Sequence, residues 1–273
     1  MSESVVMITE ALVGIGRATA MAFARQGAAV VVSGRRDEEG KALAAGLREL
    51  GAEAEYIRAD VSIEDDIRLL VDGTVKTFGQ LDVAVNNAGF TGSRGQLASQ
   101  TLEAYNAVFD TNVRGAFFSL KHELRVVTGQ GFGSFINLSS TFGERGGAGA
   151  ALYSASKHAV NGFTRSAALE VAAQGIRVNA VAPGPVATGG LDRFTGGGEE
   201  AAAAMAAAVP AGRLGHVDDI ADVIKFLASD DARLVGAPVS PSGVRIRFRG
   251  RRRRGRECRR CRVLPAGFRW DGR

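Results

Sequence analysis

An alternation constrains this chain more than any other feature. Short runs rich in Val, Ile and Ala recur between longer stretches of helical periodicity. The runs predict strands over 4–9, 28–33, 53–58, 81–86, 133–138 and 177–181. Helices are expected over 14–26, 37–50, 62–78, 102–127, 150–174 and 217–229. Strands that alternate with helices pair in parallel, because each right-handed crossover lays its helix on a face of the sheet. The expected fold is therefore α/β, a doubly wound parallel sheet with helices on both faces. A ligand of such a sheet sits beyond the carboxyl ends of the strands, where their order reverses.

Residues 189–213 break the rhythm. Glycines flank an Ala-rich helical piece, which reads as a mobile lid over a substrate or as a plain connector. The 273 residues are 45% hydrophobic and 23% charged, which suits one large domain or two small ones. No apolar run reaches the ~18 residues of a membrane span, and the first residues lack the basic start of a signal peptide. A cytoplasmic protein without a membrane partner is expected. The net charge of +5 is unevenly placed. Residues 244–273 carry thirteen Arg against Glu257 and Asp271, a balance of +11, whereas the rest carries 21 Lys+Arg against 27 Asp+Glu, a balance of −6. The body is mildly acidic, so the overall basicity gives it no affinity for nucleic acid, and nucleic acid is not an expected partner. The Arg-rich stretch is expected to be disordered or non-native, the alternative being a tether to an acidic surface. Cys258 and Cys261 within it form a lone pair, a poor zinc signal, and no metal site is expected.

Two local patterns carry chemistry. Tyr153 and Lys157 are four apart on a predicted helix and share a face. An ammonium beside a phenol favours the phenolate and lowers a pKa that starts near ~10, so the tyrosine can exchange a proton near neutrality. Ser140, thirteen residues before Tyr153, follows a strand and could bond a substrate oxygen at the same place. By itself the Tyr-Lys spacing is common on helix surfaces. Thr9, Gly14, Ile15 and Gly16 lie where the first strand turns into the first helix, where glycines let the backbone approach a pyrophosphate.

Together these motifs resemble the short-chain dehydrogenase/reductase family over about residues 4–237. The family's glycine turn T-G-x-x-x-G-I-G is matched at Thr9, Gly14, Ile15 and Gly16. Its adenine-side acid corresponds to Asp60, followed by Val61. Its N-N-A-G is Asn86-Asn87-Ala88-Gly89, its helix Asn is Asn112, and its catalytic Ser, Tyr and Lys are Ser140, Tyr153 and Lys157. Its P-G-x-x-x-T is Pro183-Gly184-Pro185-Val186-Ala187-Thr188. The resemblance implies a single-domain Rossmann fold over residues 1–243 and a ketone–secondary alcohol oxidoreductase. Tyr153 would be the general acid and base, Lys157 its activator and a ligand of the nicotinamide ribose. Ser140 would polarise the substrate carbonyl, Asn112 would orient a water, and Thr188 and Val186 would hold the carboxamide. It also implies a homo-oligomer, tetramer or dimer, built on helices near 102–127 and 150–174 and on a C-terminal strand.

The sequence departs from the family at two places. Glu10 stands where the family has its first glycine, adding bulk and negative charge beside the phosphates, with further strain if the position needs φ > 0. Gly236-Ala237-Pro238-Val239-Ser240 begins like the family's closing segment, and from Pro241 the usual ending gives way to the Arg-rich stretch. Gly34 takes the place of the acid that binds the ribose in NAD-dependent relatives, and Arg35 follows it. A guanidinium there suits a 2′-phosphate, which favours NADP(H). Asp37 could reach the ribose instead, so NAD(H) stays open. Two functions remain, an active oxidoreductase and a catalytically weak nucleotide-binding scaffold or sensor. The substrate is a small carbonyl or alcohol whose identity stays open among thioester, sugar, steroid-like and cyclic compounds. His122, His158 and His216 are scattered and read as packing or surface residues. Phe90, Phe142 and Phe194 read equally as pocket wall and core.

Overall fold

Period-two alternation sorts the strand side chains into two hydrophobic layers. Val6, Ile8, Val30, Val85 and Ile136 belong to one layer, and their neighbours Met7, Val31, Ala84 and Phe135 to the other. The computed structural model describes residues 4–235, apart from the side chains of residues 193 and 194. The segment from Gly236 onward, including the expected closing strand, the Arg-rich stretch and its two cysteines, lies outside the described residues, as does the Phe194 side chain.

Six strands, β1 (Val5–Ile8), β2 (Ala29–Gly34), β3 (Ala54–Arg58), β4 (Val83–Asn86), β5 (Gly133–Leu138) and β6 (Ile176–Val181), form one all-parallel sheet in the order 3-2-1-4-5-6. The chain runs outward from β1 through β2 to β3, then returns to lay β4 on the other side of β1. The strand order reverses at that β1–β4 seam, where side loops diverge and leave a crevice. In register, Ile8 faces Val32 on one side and Val85 on the other, so the turns after β1, β2 and β4 emerge at one level.

Helices α1 (Gly14–Ala24), α2 (Asp37–Glu49) and α9 (Val217–Ala228) cover the layer of Val6 and Ile8, and α3 (Glu64–Phe78), α5 (Gly115–Gln130) and α6 (Ala151–Val171) cover the layer of Met7 and Phe135. Acidic residues occupy the first turns of α2, α3 and α9, where they complement the helix dipole. Helix α1 has no acid in its first turn, and its N-cap, Val13, makes no side-chain capping bond.

Instead of the single long helix expected over 102–127, the chain forms α4 (Leu102–Phe109), a π-turn at Asp110–Arg114, and α5. The π-turn has a cause in packing. The Asn112 carboxamide is drawn inward to the Phe90 backbone and Ser156, and a Cβ added to Gly115 would lie 2.9 Å from Val61 Cγ2. The remaining elements fall within a few residues of the sequence expectation. Residues 189–208 hold two helices, α7 (Gly189–Thr195) and α8 (Glu199–Ala208). The segment leaves and rejoins the body at one point, where Ala187 donates to the Gly215 carbonyl at 2.9 Å and Gly215 to the Pro185 carbonyl at 2.9 Å.

Helix α9 braces α1, and Arg177 on β6 braces α9. Its guanidinium donates to the carbonyls of Leu227, Ala228, Ser229 and Ala232, tying β6 to the end of α9 and the turn that follows it. Charged hydrogen bonds of this kind contribute ~1.5–3 kcal/mol when partly shielded. Replacing Arg177 by Met keeps the stem and removes the donors, and should lower unfolding free energy by about 2 kcal/mol in urea titrations. An unchanged denaturation midpoint would show that solvent serves these carbonyls equally well.

Candidate active site

The β1–β4 seam is built around Thr9 and Asn87. Thr9 Oγ1 accepts from the backbone N–H of Asn87 at 3.1 Å and of Ala88 at 3.3 Å. Asn87 Nδ2 donates to the carbonyls of Thr9 at 3.1 Å and Glu10 at 2.9 Å, clamping the turn between β1 and α1 onto the end of β4. The clamp explains Gly16. A Cβ there would fall 2.6 Å from Asn87 Nδ2 and 2.7 Å from the Glu10 carbonyl oxygen, too close for any side chain. Gly14 takes φ +57°, and Thr188 Cγ2 lies 3.5 Å from where its Cβ would be. The turn is thus enclosed by Thr188, which caps α7 through a 3.4 Å bond from the Leu191 N–H.

These residues fit a dinucleotide. The first N–H groups of α1 are unanswered by any side-chain cap, no acid lies in the first turn, and Gly14 and Gly16 keep the approach open. Glu10 is the discordant residue. It is the one non-glycine with positive φ among the described residues, at +49°, a conformation that costs a side-chain-bearing residue about 1 kcal/mol or more. Burial holds its carboxyl above the ordinary value, opposed by Arg35, whose Nε lies 3.6 Å from Glu10 Oε1. Arg35 also reaches Asp60, Nη1 to Oδ2 at 3.6 Å. Asp60 Oδ1 accepts from both N and Oγ of Ser62, and those bonds, with Arg35, hold the carboxyl below its usual value against desolvation. Gly34 carries its own steric reason, since a Cβ there would lie 2.7 Å from Leu12 Cδ1. Asp37 accepts from the Tyr56 hydroxyl at 3.0 Å and lies 3.7 Å from Arg58, so it is engaged on α2.

Across the seam, β5 and α6 bring Ser140, Tyr153 and Lys157 together. Ser140 Oγ accepts from the Phe142 N–H at 3.2 Å and shares a hydrogen bond with Tyr153. Phe142 meets the Tyr153 ring edge-on at 6.2 Å between centroids. Lys157 is buried, with Nζ 5.7 Å from the Tyr153 ring centroid and donating to the Leu138 carbonyl at 2.7 Å. Burial lowers its pKa to about 8. The Tyr153 phenol sits above its ordinary value, not below it as the helical spacing leads one to expect. Burial is the largest influence and raises it, and the opposing influence is the Ser140 hydrogen bond. The Asn112 side chain is fully engaged, accepting from the Phe90 N–H at 2.7 Å and donating to the Phe90 carbonyl and Ser156 Oγ at 2.9 Å each. The side chain expected to orient a water is thus bonded within the protein, to Phe90 and Ser156.

The remaining predicted residues fall around these two clusters. Ala88 and Gly89 lie between them, and a Cβ on Gly89 would stand 3.3 Å from Lys157 Nζ. Val61 packs on Gly115 behind the β4 end. The Pro183 carbonyl accepts from the Thr141 N–H at 3.0 Å, tying the loop of Pro183, Gly184 and Val186 to the turn after Ser140. Ile15 is half-buried at the base of α1. A cavity of about 220 Å³ opens beside Tyr153, walled by Phe90, Val108, Ala150 and Leu152. Sequence reasoning missed Ser156, which supports Asn112 and donates to the Tyr153 carbonyl at 2.8 Å, and Asn161, which donates to the Gly143 carbonyl at 2.8 Å. Their signal is spacing: both lie on the helix face that buries Lys157. His122 is buried against Glu64 at 3.1 Å, His158 Nδ1 meets the Ser154 carbonyl at 2.9 Å, and His216 caps α9.

Comparison with known proteins agrees with this geometry. A family profile described as enoyl-(acyl carrier protein) reductase matches residues 11–239. The chain is 41% identical over 243 residues to a cis-4-hydroxycyclohexanecarboxylate dehydrogenase of Sinomonas cyclohexanicum, covering 89% of this chain and 96% of the relative. It is 37% identical over 234 residues to a cyclohexanol dehydrogenase of an Acinetobacter species, covering 86% and 91%. Among solved structures, levodione reductase superposes with a TM-score of 0.83 at 35% identity over 86% of this chain and 94% of that one. NAD+-bound xylitol dehydrogenase gives 0.80 at 32% identity over 85% and 94%. A variant of actinorhodin polyketide ketoreductase with NADPH gives 0.80 at 36% over 85% and 93%.

Glu10 gives the first test of the turn. Glu10→Gly removes the positive-φ strain and the carboxylate, and should tighten NADPH by about tenfold in fluorescence titrations, equivalent to ~1.4 kcal/mol. Stability should change by less than about 1 kcal/mol, because glycine's larger unfolded entropy offsets the relieved strain. Equal NADPH affinities for the two proteins would remove Glu10 from the account.

Proposed function

Because the chain belongs to the short-chain dehydrogenase/reductase family, we propose that it interconverts a small cyclic ketone and its secondary alcohol, with NADP(H) as preferred cofactor. It is an NAD(P)-dependent enzyme acting on a CH–OH group. The observation that carries the reading is the meeting of Ser140, Tyr153 and Lys157 beside the 220 Å³ cavity, at the end of the seam that fits a dinucleotide. The substrate class draws support from the cyclic alcohols in the names of the cyclohexanol and hydroxycyclohexanecarboxylate dehydrogenases. The apolar wall of Phe90, Val108 and Leu152 suits such a ring.

The cofactor supplies or accepts the hydride when bound. The chain's residues then manage the oxygen and its proton. Ser140 and Tyr153 share a hydrogen bond in the free protein, and on substrate binding each would turn its hydroxyl to the one substrate oxygen. In reduction Tyr153 gives its phenolic proton to the developing alkoxide, and in oxidation it takes that proton back. Lys157, with a pKa near 8, stays mostly protonated near neutrality and stabilises the phenolate left behind. A water at Asn112 would refill the proton from solvent. Val186 and Thr188 would hold the carboxamide. Pro183, Gly184, Ala88 and Gly89 line the same path, and Asp60 with Val61 flanks the adenine side.

The preference for NADP(H) rests on Arg35 beside a residue, Gly34, that offers no ribose-binding carboxylate. NAD(H) remains the alternative. Residues 189–213 act as a lid, a reading that the joining of the segment's two ends near Val186 and Gly215 supports. A cytoplasmic homo-oligomer, tetramer or dimer, completes the proposal, with residues 1–243 as its domain. The second function, a weakly catalytic nucleotide-binding protein, draws on Glu10, whose φ of +49° and carboxylate both oppose the cofactor.

A panel of cyclic ketones and secondary alcohols, assayed with both cofactors, tests the reading. Reduction of a cyclohexanone with NADPH, at higher kcat/KM than with NADH, is the expected result. Clear preference for NADH would refute the role given to Arg35. Tyr153→Phe should reduce kcat by at least ~10³-fold while leaving the NADPH dissociation constant within about twofold. Near wild-type turnover in that variant would end the mechanism.

A further inference from the structure

Behind the Lys157 side of the seam lies a carboxyl group that the mechanism does not use. Glu123 points from α5 into the core and is fully buried. Its Oε2 accepts from Asn86 Nδ2 at 3.1 Å, and Asn86 Nδ2 also donates to Asn137 Oδ1 at 2.9 Å. Asn137 Nδ2 donates in turn to Thr164 Oγ1 at 2.9 Å. The chain of bonds links α5, the ends of β4 and β5, and α6. Two acceptors in it have no donor, Glu123 Oε1 and Asn86 Oδ1. An ionised Glu123 would leave both oxygens without a partner in the interior, with a negative charge on one of them, a heavy penalty away from water. One added proton removes the charge and supplies the missing donor.

We propose that Glu123 is held as a neutral carboxylic acid whose Oε1–H donates to Asn86 Oδ1, closing a two-bond acid–amide ring, and that this ring positions the end of β4. Glu123 acts through Asn86 and is a positioning residue. The next residue, Asn87, clamps the Thr9–Glu10 turn, so the ring sets where β4 delivers that clamp. This positioning role rests on the dinucleotide reading above, while the protonation state stands independently of it. Burial raises the Glu123 pKa to about 8, and the Asn86 bond is the only opposing influence. Among the described residues no charge on the elements packed around α5 forms an ion pair with Glu123. On α5 and α3, Lys121 and His122 meet Glu64, and Arg125 meets Asp72, which also pairs with Arg68. On α6, Lys157 donates to Leu138.

A carboxyl whose folded pKa exceeds its unfolded one carries an extra proton in the fold. Its contribution to stability is complete below the ordinary carboxyl range and is lost as pH rises through about 8. Glu123→Gln keeps the ring, since an amide donates to Asn86 Oδ1 and accepts from Nδ2, and it does not titrate. Denaturation of both proteins from about pH 6 to about pH 9 cancels the other groups by difference. The expected result is that Glu123→Gln gains on the wild type as pH rises. The infrared carbonyl band of a protonated buried carboxyl should be present in the wild type and missing from the variant. NADPH affinity should stay within about twofold in Glu123→Gln and fall about tenfold in Glu123→Leu, which leaves Asn86 unpaired. A stability difference independent of pH, absence of the infrared band, or a Glu123→Gln protein as damaged as Glu123→Leu would overturn the proposal. Should Glu123→Leu not fold, Glu123→Gln decides alone. If the wild type binds no dinucleotide the functional reading falls, and the stability and infrared arms still judge Glu123.

Discussion

Two consecutive asparagines at the end of β4 hold the site together from both sides. Successive residues of a strand face opposite ways. Asn86 therefore enters the layer beneath α5 and α6, and Asn87 turns to the layer that carries α1. Through Asn86 the strand is tied to Glu123, Asn137 and Thr164, and through Asn87 to the carbonyls of Thr9 and Glu10. The proposed nucleotide side and the proposed proton-transfer side are thus referenced to one short stretch of backbone. Asn86 is buried and Asn87 partly so, and bonds left unmade in the buried layer cost ~1–3 kcal/mol each. Displacing β4 by a fraction of an ångström would disturb both halves at once.

Burial sets the electrostatics on the proton-transfer side. The same low dielectric raises the Tyr153 phenol above its ordinary value and lowers the Lys157 ammonium to about 8, moving the two acidities apart so that each group alone favours its neutral form. Among the described residues no carboxylate pairs with Lys157, so its charge can respond to whatever negative charge develops at Tyr153. Ser140 adds the hydrogen bond that favours the phenolate. The arrangement disfavours both charged forms separately and favours them jointly, which is useful for a proton that must leave and return.

Much of this was legible in the chain because it depends on local rules. The six strands follow from β-branched runs, and the turn at Thr9–Gly16 from glycines that only a close backbone approach explains. The Tyr153–Lys157 pairing follows from helical spacing. What was not legible depends on distant partners. Nothing local predicts that Asn112 would open a π-turn, since its partners Phe90 and Ser156 are 22 and 44 residues away. The source of the Tyr153 shift was misjudged for the same reason. Sequence spacing places Lys157 near the ring, but the depth of the site, which decides the sign, is a property of the packed sheet and helices. Glu123 carries no local signal of burial, because only the packing of α5 on the sheet turns that face inward.

The region around Arg35 shows how magnitudes decide between competing contacts. Arg35 is well exposed, and its contacts to Glu10 and Asp60 are both 3.6 Å, beyond ordinary hydrogen-bond length. Exposed pairs of this kind contribute about 0–1 kcal/mol. A phosphate held bidentately by a guanidinium contributes more, about 1.5–3 kcal/mol per charged hydrogen bond. Arg35 would therefore turn from the carboxylates to a 2′-phosphate at little loss. Glu10 cannot turn away so easily, because its backbone is fixed by the Asn87 clamp at φ +49° and its carboxyl is partly desolvated. Once Arg35 is engaged by a phosphate, the carboxylate is left with a weaker counter-charge and a new negative neighbour. Protonation of Glu10, already favoured by burial, would relieve that conflict, so a cofactor bearing the extra phosphate should bind with uptake of a proton as pH falls toward the Glu10 pKa.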